Sequence, residues 1–140
     1  MPLTQEEIDE FLRTPNVAVV ATVDPDGQPH TVPTWYLYED GEVVLHTVLN
    51  SRKYRNLRQN ARLTVCVDTK TAPYKAVVIY GRAKMEIRTD EEGTRRMAVA
   101  YLGEKIGSRY ADSLRGQRLV VVRVKPDRVI SWDYGRGDRP

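Results

Sequence analysis

Residues 30–48 read HTVPTWYLYEDGEVVLHTV, and where this run alternates and where it breaks decides what sheet the chain can build. Asp40-Gly41 is a two-residue hairpin signal, because the tight turns that match strand twist need φ > 0 at their centre. It joins a strand over 30–39 to a second over 42–48. Pro33 sits inside the first of these and has no N–H to give a ladder, so it marks an edge or a break in pairing. Upstream, NVAVVATV (16–23) is rich in β-branched residues and reads as a buried strand. Asp24-Pro-Asp-Gly27 supplies turn chemistry between the two. Three strands joined by short turns predict an antiparallel meander.

Working outward, Thr4-Gln-Glu-Glu7 fits a capping box, and Ile8, Phe11 and Leu12 recur at helical spacing, predicting a helix that ends before Pro15. Ser51 is placed to cap a helix over 53–60. LTVCVD (63–68) is a fourth strand, 71–74 a loop, and KAVVIYGRAKMEIR (75–88) a long fifth strand that bends near Gly81. Thr89-Asp-Glu-Glu92 reads as a second capping box, opening a helix to about Tyr101. The segment 103–116 reads as a loop with a short helix around 110–114. RLVVVRVKPDRVISWD (118–133) reads as two strands broken at Pro126-Asp127. About seven strands and three or four helices, without repeats or a linker, predict one domain over 1–140. Its class is mainly β, a small barrel with peripheral helices.

Composition narrows the function. With 41% hydrophobic and 29% charged residues in 140, the chain has the profile of a soluble globular domain. No apolar run approaches the roughly 20 residues a membrane span needs. The acidic start MPLTQEEIDEFLRT is unlike a secretory signal, so a cytoplasmic protein without a membrane partner is expected. Cys66 is the only cysteine, which excludes an internal disulfide and a cysteine-built zinc site. His30 and His46 are too few for a metal site and read as strand residues with satisfied rings. No GxGxxG follows a strand, and neither a P-loop nor a nucleophile elbow is present. Basic residues interleave with aromatics, yet no RNP, KH or helix-turn-helix signature accompanies them, and Glu6, Glu7, Asp9 and Glu10 make one end acidic. No nucleic-acid partner is expected.

The strongest chemical signal is LHTVLNSRKYRNLRQNAR (45–62), with five cations and no acid in a chain whose net charge is only +3. Ser51, Arg52 and Lys53 fall in the first turn of a helix, where free N–H groups already favour an anion. Cations there oppose the helix dipole, so something must compensate, and a bound phosphate would. Arg55, Arg58 and Arg62 read instead as a solvated face.

Taken in order, GQPHTVPTWYLYEDGEVVLHT, SRKYRNLRQNARLTVCVD, VVIYGRAKM and ISWD resemble the split-barrel flavin and deazaflavin oxidoreductases related to pyridoxamine 5′-phosphate oxidase. Within them, the chain is most similar to the FDOR-B branch that uses coenzyme F420. The resemblance implies a split β-barrel and a reductase passing a hydride from F420 to a conjugated small molecule, in a homodimer whose sites lie at the subunit interface. It implies that Ser51, Arg52 and Lys53 hold the cofactor phosphate. It further implies that Val32, Pro33, Thr34 and Trp35 line the ring system beside Thr47, and that Tyr80, Gly81 and Trp132 come from the second subunit. FMN is the alternative coenzyme, and a non-catalytic cofactor- or haem-binding protein the alternative role. The extended C-terminal segment of true pyridoxamine phosphate oxidases has no counterpart, so vitamin B6 oxidation is not expected. The surplus of Arg55, Arg58, Arg109, Arg115 and Arg118 suits the polyanionic oligoglutamate tail of F420 better than it suits FMN.

Overall fold

A computed structural model describes residues 2–140. Its elements are α1 (Gln5–Arg13), β1 (Ala18–Val23), β2 (Pro29–Thr34), β3 (Leu37–Glu39), β4 (Glu42–Thr47), α2 (Arg52–Gln59), β5 (Arg62–Asp68), β6 (Lys75–Thr89), α3 (Glu91–Leu102), α4 (Glu104–Ser113) and β7 (Arg118–Asp133). The seven strands form one antiparallel sheet in the order β2-β1-β5-β6-β7-β4-β3. No helix among the described residues is long and apolar enough to cross a membrane.

The meander expected from the opening stretch is corrected here. The hairpin at Asp40-Gly41 forms with φ 54° and 74°, as its turn type requires. The strand before it is two strands, however, and β2 never pairs with β4. β2 lies at one edge of the sheet and β3 at the other, with only Trp35 and Tyr36 between them. A flat seven-stranded sheet would be about 29 Å wide at ~4.8 Å per strand. Three Cα steps from Thr34 to Leu37 reach at most ~11 Å. The sheet therefore has to curl until its edges nearly meet, which makes it a split barrel, unclosed where Trp35 and Tyr36 cross.

The interior follows from strand alternation. Ala18, Val20, Val43, Leu45, Val65, Val67, Val77, Ile79, Val120, Val122 and Val124 point inward as one buried cluster, joined by Ile8, Phe11 and Leu12 of α1 and Leu57 of α2. The opposite face is also apolar in part. Val44, Leu119 and Val121 are buried although they alternate with the interior residues, and α3 and α4 contribute the buried Met97, Ala98 and Ala111.

Three further expectations change. The C-terminal run is a single strand, and the irregularity at Pro126-Asp127 is a β-bulge: Gly81 pairs with Pro126 and Tyr80 with Arg128, leaving Asp127 extra. The cap of α3 is Asp90, whose side chain accepts from the Gly93 N–H at 3.1 Å, and not Thr89. The segment read as mostly loop is the ten-residue helix α4. The first capping box forms as expected, with Thr4 and Glu7 bonded reciprocally at 3.0 and 3.2 Å.

Gly81 stands at the bulge because there is no room for more. A Cβ there would lie 2.5 Å from the Lys125 carbonyl oxygen and 2.9 Å from Val124 Cγ1. Gly81→Ala is expected to destabilise the fold by about 1–3 kcal/mol, the usual cost of overpacking. That corresponds to a melting temperature lower by roughly 3–10 °C in a chain of this size. Thermal unfolding followed by circular dichroism checks it, and an unchanged midpoint would show that the bulge opens freely.

Candidate active site

The chain's crossing from edge to edge builds an aromatic corner. Trp35 stacks on Tyr101 of α3, ring centroids 5.1 Å apart and 6° from parallel, and meets Tyr110 of α4 edge-on at 5.8 Å and 72°. Tyr101 donates to the Asn16 carbonyl at 2.8 Å and accepts from the Tyr36 N–H at 3.2 Å. Tyr36 donates its own buried hydroxyl to the Leu12 carbonyl at 2.8 Å. The crossing is thus pinned on both sides, by a buried hydrogen bond from Tyr36 and by part-buried ones at Tyr101.

Beside this corner opens a cleft of about 280 Å³, at the small end of the range for ligand sites. Thr34 and Trp35 line it from the crossing, and His46, Thr47 and Val48 from the end of β4. Thr94 and Met97 of α3 and Tyr110 of α4 form the opposite wall, continued by Leu114, Gln117 and Leu119. Three sequence-predicted residues, Thr34, Trp35 and Thr47, therefore share one cavity.

The cleft continues into the cation block. Thr47 Oγ1 and Ser51 Oγ lie 2.7 Å apart. Ser51 caps α2, accepting from the Tyr54 N–H at 3.1 Å. The Arg52 and Lys53 amides, in the first turn, have no acceptor among the described residues. The side chains of these two residues part company. Arg52 turns to Asp24, its Nε donating to Oδ1 at 2.9 Å and its second nitrogen to Oδ2. Asn56 completes that network, donating to Asp24 Oδ1 at 2.9 Å and to the buried Thr22 hydroxyl at 3.0 Å. The countercharge demanded by cations at a helix start is thus partly Asp24, across the barrel on the β1–β2 turn. Lys53 has no such partner. It is 8% exposed and makes no ion pair among the described residues, and burial pushes its ammonium pKa down.

The remaining candidates lie elsewhere. Val32 pairs with Val20 across the edge of the sheet. Pro33, Tyr80 and Trp132 lie on the outer face of the β2-β1-β5-β6-β7 half, away from the cleft, with Gly81 at the bulge. Sequence reasoning missed Asp24, which nothing local connects to Arg52; Asn56, one helical turn beyond Arg52; and the ring partners Tyr101 and Tyr110. It also passed over His46, whose Nε2 lies 2.8 Å from Asp90 Oδ2.

This arrangement has known relatives. A family model described as pyridoxamine 5′-phosphate oxidase matches residues 4–133. The chain belongs to the pyridoxamine 5′-phosphate oxidase family. Membership makes it a split-barrel oxidoreductase of the flavin and deazaflavin group. A 5a,11a-dehydrotetracycline/5a,11a-dehydrooxytetracycline reductase of Streptomyces rimosus is 29% identical over 94% of this chain and 84% of its own. A conserved hypothetical protein of Mycobacterium tuberculosis, also 29% identical, superposes with a TM-score of 0.77 over 99% of this chain and 89% of its own. A structure described as an F420 reductase shares the fold at 22% identity, with a TM-score of 0.67 over 86% of this chain and 94% of its own.

The Asp24 network carries a pH signature. Hydrogen bonds from Arg52, then from Asn56, hold the Asp24 carboxyl down at about 2, against about 3.9 in an unfolded chain. A depressed carboxylate contributes stability above its unfolded pKa and loses it as pH falls toward its folded one. The denaturation midpoint of the native protein should therefore approach that of Asp24→Asn as pH drops from about 4 to about 2. Urea titrations across that window check this; parallel curves would show that the pair does not couple to folding.

Proposed function

We propose that the chain is a reductase that takes coenzyme F420 and reduces a conjugated small molecule in the cleft beside Trp35. The observation that carries this reading is Lys53. Most of this side chain is buried and its ammonium has no ion pair among the described residues, so an anion there is favoured, and it lies at a helix start with two open amides. A phosphate monoanion or dianion answers all three groups, so the residues present fit a nucleotide-like coenzyme. Lys53, the Arg52 and Lys53 amides and Ser51 would hold its phosphate, with Thr47 bridging toward the ring and Thr34 and Trp35 beside it. When bound, the reduced coenzyme supplies a hydride.

The chain's own part is binding, orientation and a dry wall. Trp35, Met97, Leu114 and Leu119 give the cleft an apolar lining suited to a flat conjugated substrate. The relative in S. rimosus, named for reducing a dehydrotetracycline, supports an acceptor of that kind. F420 is favoured over FMN by spare positive charge. Arg55, Arg109 and Arg118 make no ion pair among the described residues, while Arg115 pairs with Asp112 at 3.0 Å and Arg58 lies over the Tyr54 ring. Three uncommitted guanidiniums suit an oligoglutamate tail.

A homodimer completes the reading. On the outer face, Pro33, Val19, Cys66, Val78 and Ile130 are register partners across five adjacent strands. Exposed Tyr80, flanking this row, and half-buried Trp132 widen the patch. The helices that bury Val44 and Val121 leave this half bare, so an apolar surface remains for a second copy. Nothing in this reading involves nucleic acid or a membrane, and a cytoplasmic enzyme remains the expectation.

Equilibrium binding of F420 and FMN side by side, with turnover of 2-cyclohexen-1-one by reduced F420, tests the proposal. Lys53→Ala should weaken F420 about 10- to 150-fold, the equivalent of a charged hydrogen bond of roughly 1.5–3 kcal/mol, with its circular dichroism unchanged. Wild-type affinity for both coenzymes in that variant would remove the phosphate assignment. A monomer by sedimentation at micromolar concentration would remove the shared site.

A further inference from the structure

Reducing a conjugated acceptor requires a proton as well as a hydride, and the cleft contains one side chain built to give it. His46 lines the cleft, and its Nε2 lies 2.8 Å from Asp90 Oδ2, with the two side chains only 12% and 13% exposed. A carboxylate can only accept, so Nε2 carries the hydrogen and Nδ1 is the remaining nitrogen. No hydrogen bond to Nδ1 is made among the described residues. Asp90 is itself held in place: its Oδ1 accepts from the Gly93 N–H at 3.1 Å as the cap of α3, and Arg88 lies 3.2 Å from the same oxygen. An imidazole oriented by a fixed carboxylate, with its other nitrogen uncommitted beside a cavity, has the form of a general acid.

We propose that His46, positioned by Asp90, is the catalytic acid of this cleft; the proposal rests on the reductase reading. The acceptor gains a hydride at its β-carbon from the reduced deazaflavin, and its C=C electron pair shifts to leave an enolate. The Nδ1–H bond of the His46 imidazolium breaks, and its proton goes to that enolate. The neutral ring then regains a proton from solvent, to which the oxidised deazaflavin has released one.

The groups facing His46 are few. β6 brings Glu86, in the same lateral row across Val121, and Arg88, whose Nε is 3.1 Å from Glu86. α4 brings Tyr110 across the cleft, and the neighbouring β7 residue is the apolar Val121. Among the described residues, Asp90 alone hydrogen-bonds the ring. A latch tying β4 to α3 would use the same hydrogen bond, so the experiment must separate the two roles.

His46→Gln keeps an amide N–H for Asp90 but cannot titrate, and Asp90→Asn keeps a helix cap without the charge. With reduced F420 and 2-cyclohexen-1-one, His46→Gln should lose on the order of 10²-fold or more in kcat, with the affinity for F420 unchanged. A fall of kcat at alkaline pH, as general-acid catalysis requires, is expected in the native enzyme and should be missing from that variant. Asp90→Asn should lose kcat in the same direction. Independently of turnover, ¹H–¹⁵N spectra of the coenzyme-free protein should show neutral His46 as the Nε2–H tautomer, and Asp90→Asn should abolish that preference. Native kcat and pH profile in His46→Gln, or an Nδ1–H tautomer, overturns the assignment while leaving the reductase reading intact. If the native protein neither binds nor turns over F420, that reading falls, and the acid role falls with it.

Discussion

The rest of the molecule depends on two residues, Trp35 and Tyr36, carrying the chain between opposite edges of one sheet. So short a link forces the curl, and the curl gives the inward valines an enclosed interior. The link itself must be immobilised, because a loose crossing would let the edges separate. Tyr36 does this from the core side through its hydroxyl on the Leu12 carbonyl, and Trp35 from the outer side through its stack on Tyr101. Stacked pairs contribute about 0.5–1.5 kcal/mol beyond the area they bury. Here Trp35 also lines the cleft, so the device that holds the barrel nearly shut also positions the candidate site.

The cation block shows how a locally unfavourable pattern can be tolerated. Five positive residues without an acid would strain α2 if all faced one another or the helix dipole. The fold divides them. Arg52 is matched by Asp24 from the β1–β2 turn, and that carboxylate is in turn oriented by Asn56 from the next turn of the same helix. Arg58 covers the Tyr54 ring, while Arg55 and Arg62 face solvent. Lys53 alone is largely buried without an ion pair among the described residues. A largely buried lysine without a paired charge is uncommon, which is why it carries more functional information than the four arginines together.

What was legible in the sequence was local. Asp40-Gly41, Thr4 to Glu7, Ser51 and the Asp24–Gly27 turn each specify their own backbone through residues within four positions, and each forms as expected. Sheet order is not local. The run 30–39 looks like one strand because nothing in its alternation says that its halves pair at opposite edges. The bulge at Asp127 reads as a strand break because Pro126 interrupts the pattern, although the long partner β6 continues past it. α4 was hidden by its glycines. Gly107 marks the place where the two helices touch: a Cβ there would lie 2.6 Å from the Ala98 carbonyl. Of the residues that the family resemblance implied, Thr34, Trp35 and Thr47 share the cleft and Ser51 adjoins it, whereas Asp24 and Asp90 could not be read locally, since each meets its partner 28 or 44 residues away.

The outer face of the sheet resolves a problem that the apolar strands pose. With valines on both sides of β7 and β4, one barrel interior cannot hide them all. Over β4 and the nearer half of β7 the chain uses its own α3 and α4, and the cleft opens between those helices, the end of β4 and the crossing. Over β2, β1 and β5 no helix covers that face, and its residues Val19 and Cys66 are only half-buried. Covering one half internally and leaving the other to a second copy puts the boundary between the halves close to Pro33 and Thr34. There a partner's surface would meet the edge of the cleft. In the proposed dimer, a site at that boundary would gain its last wall on assembly, and substrate choice would rest with residues the two copies supply jointly. The proposed proton donor, His46, would stay a group that one chain already orders through Asp90.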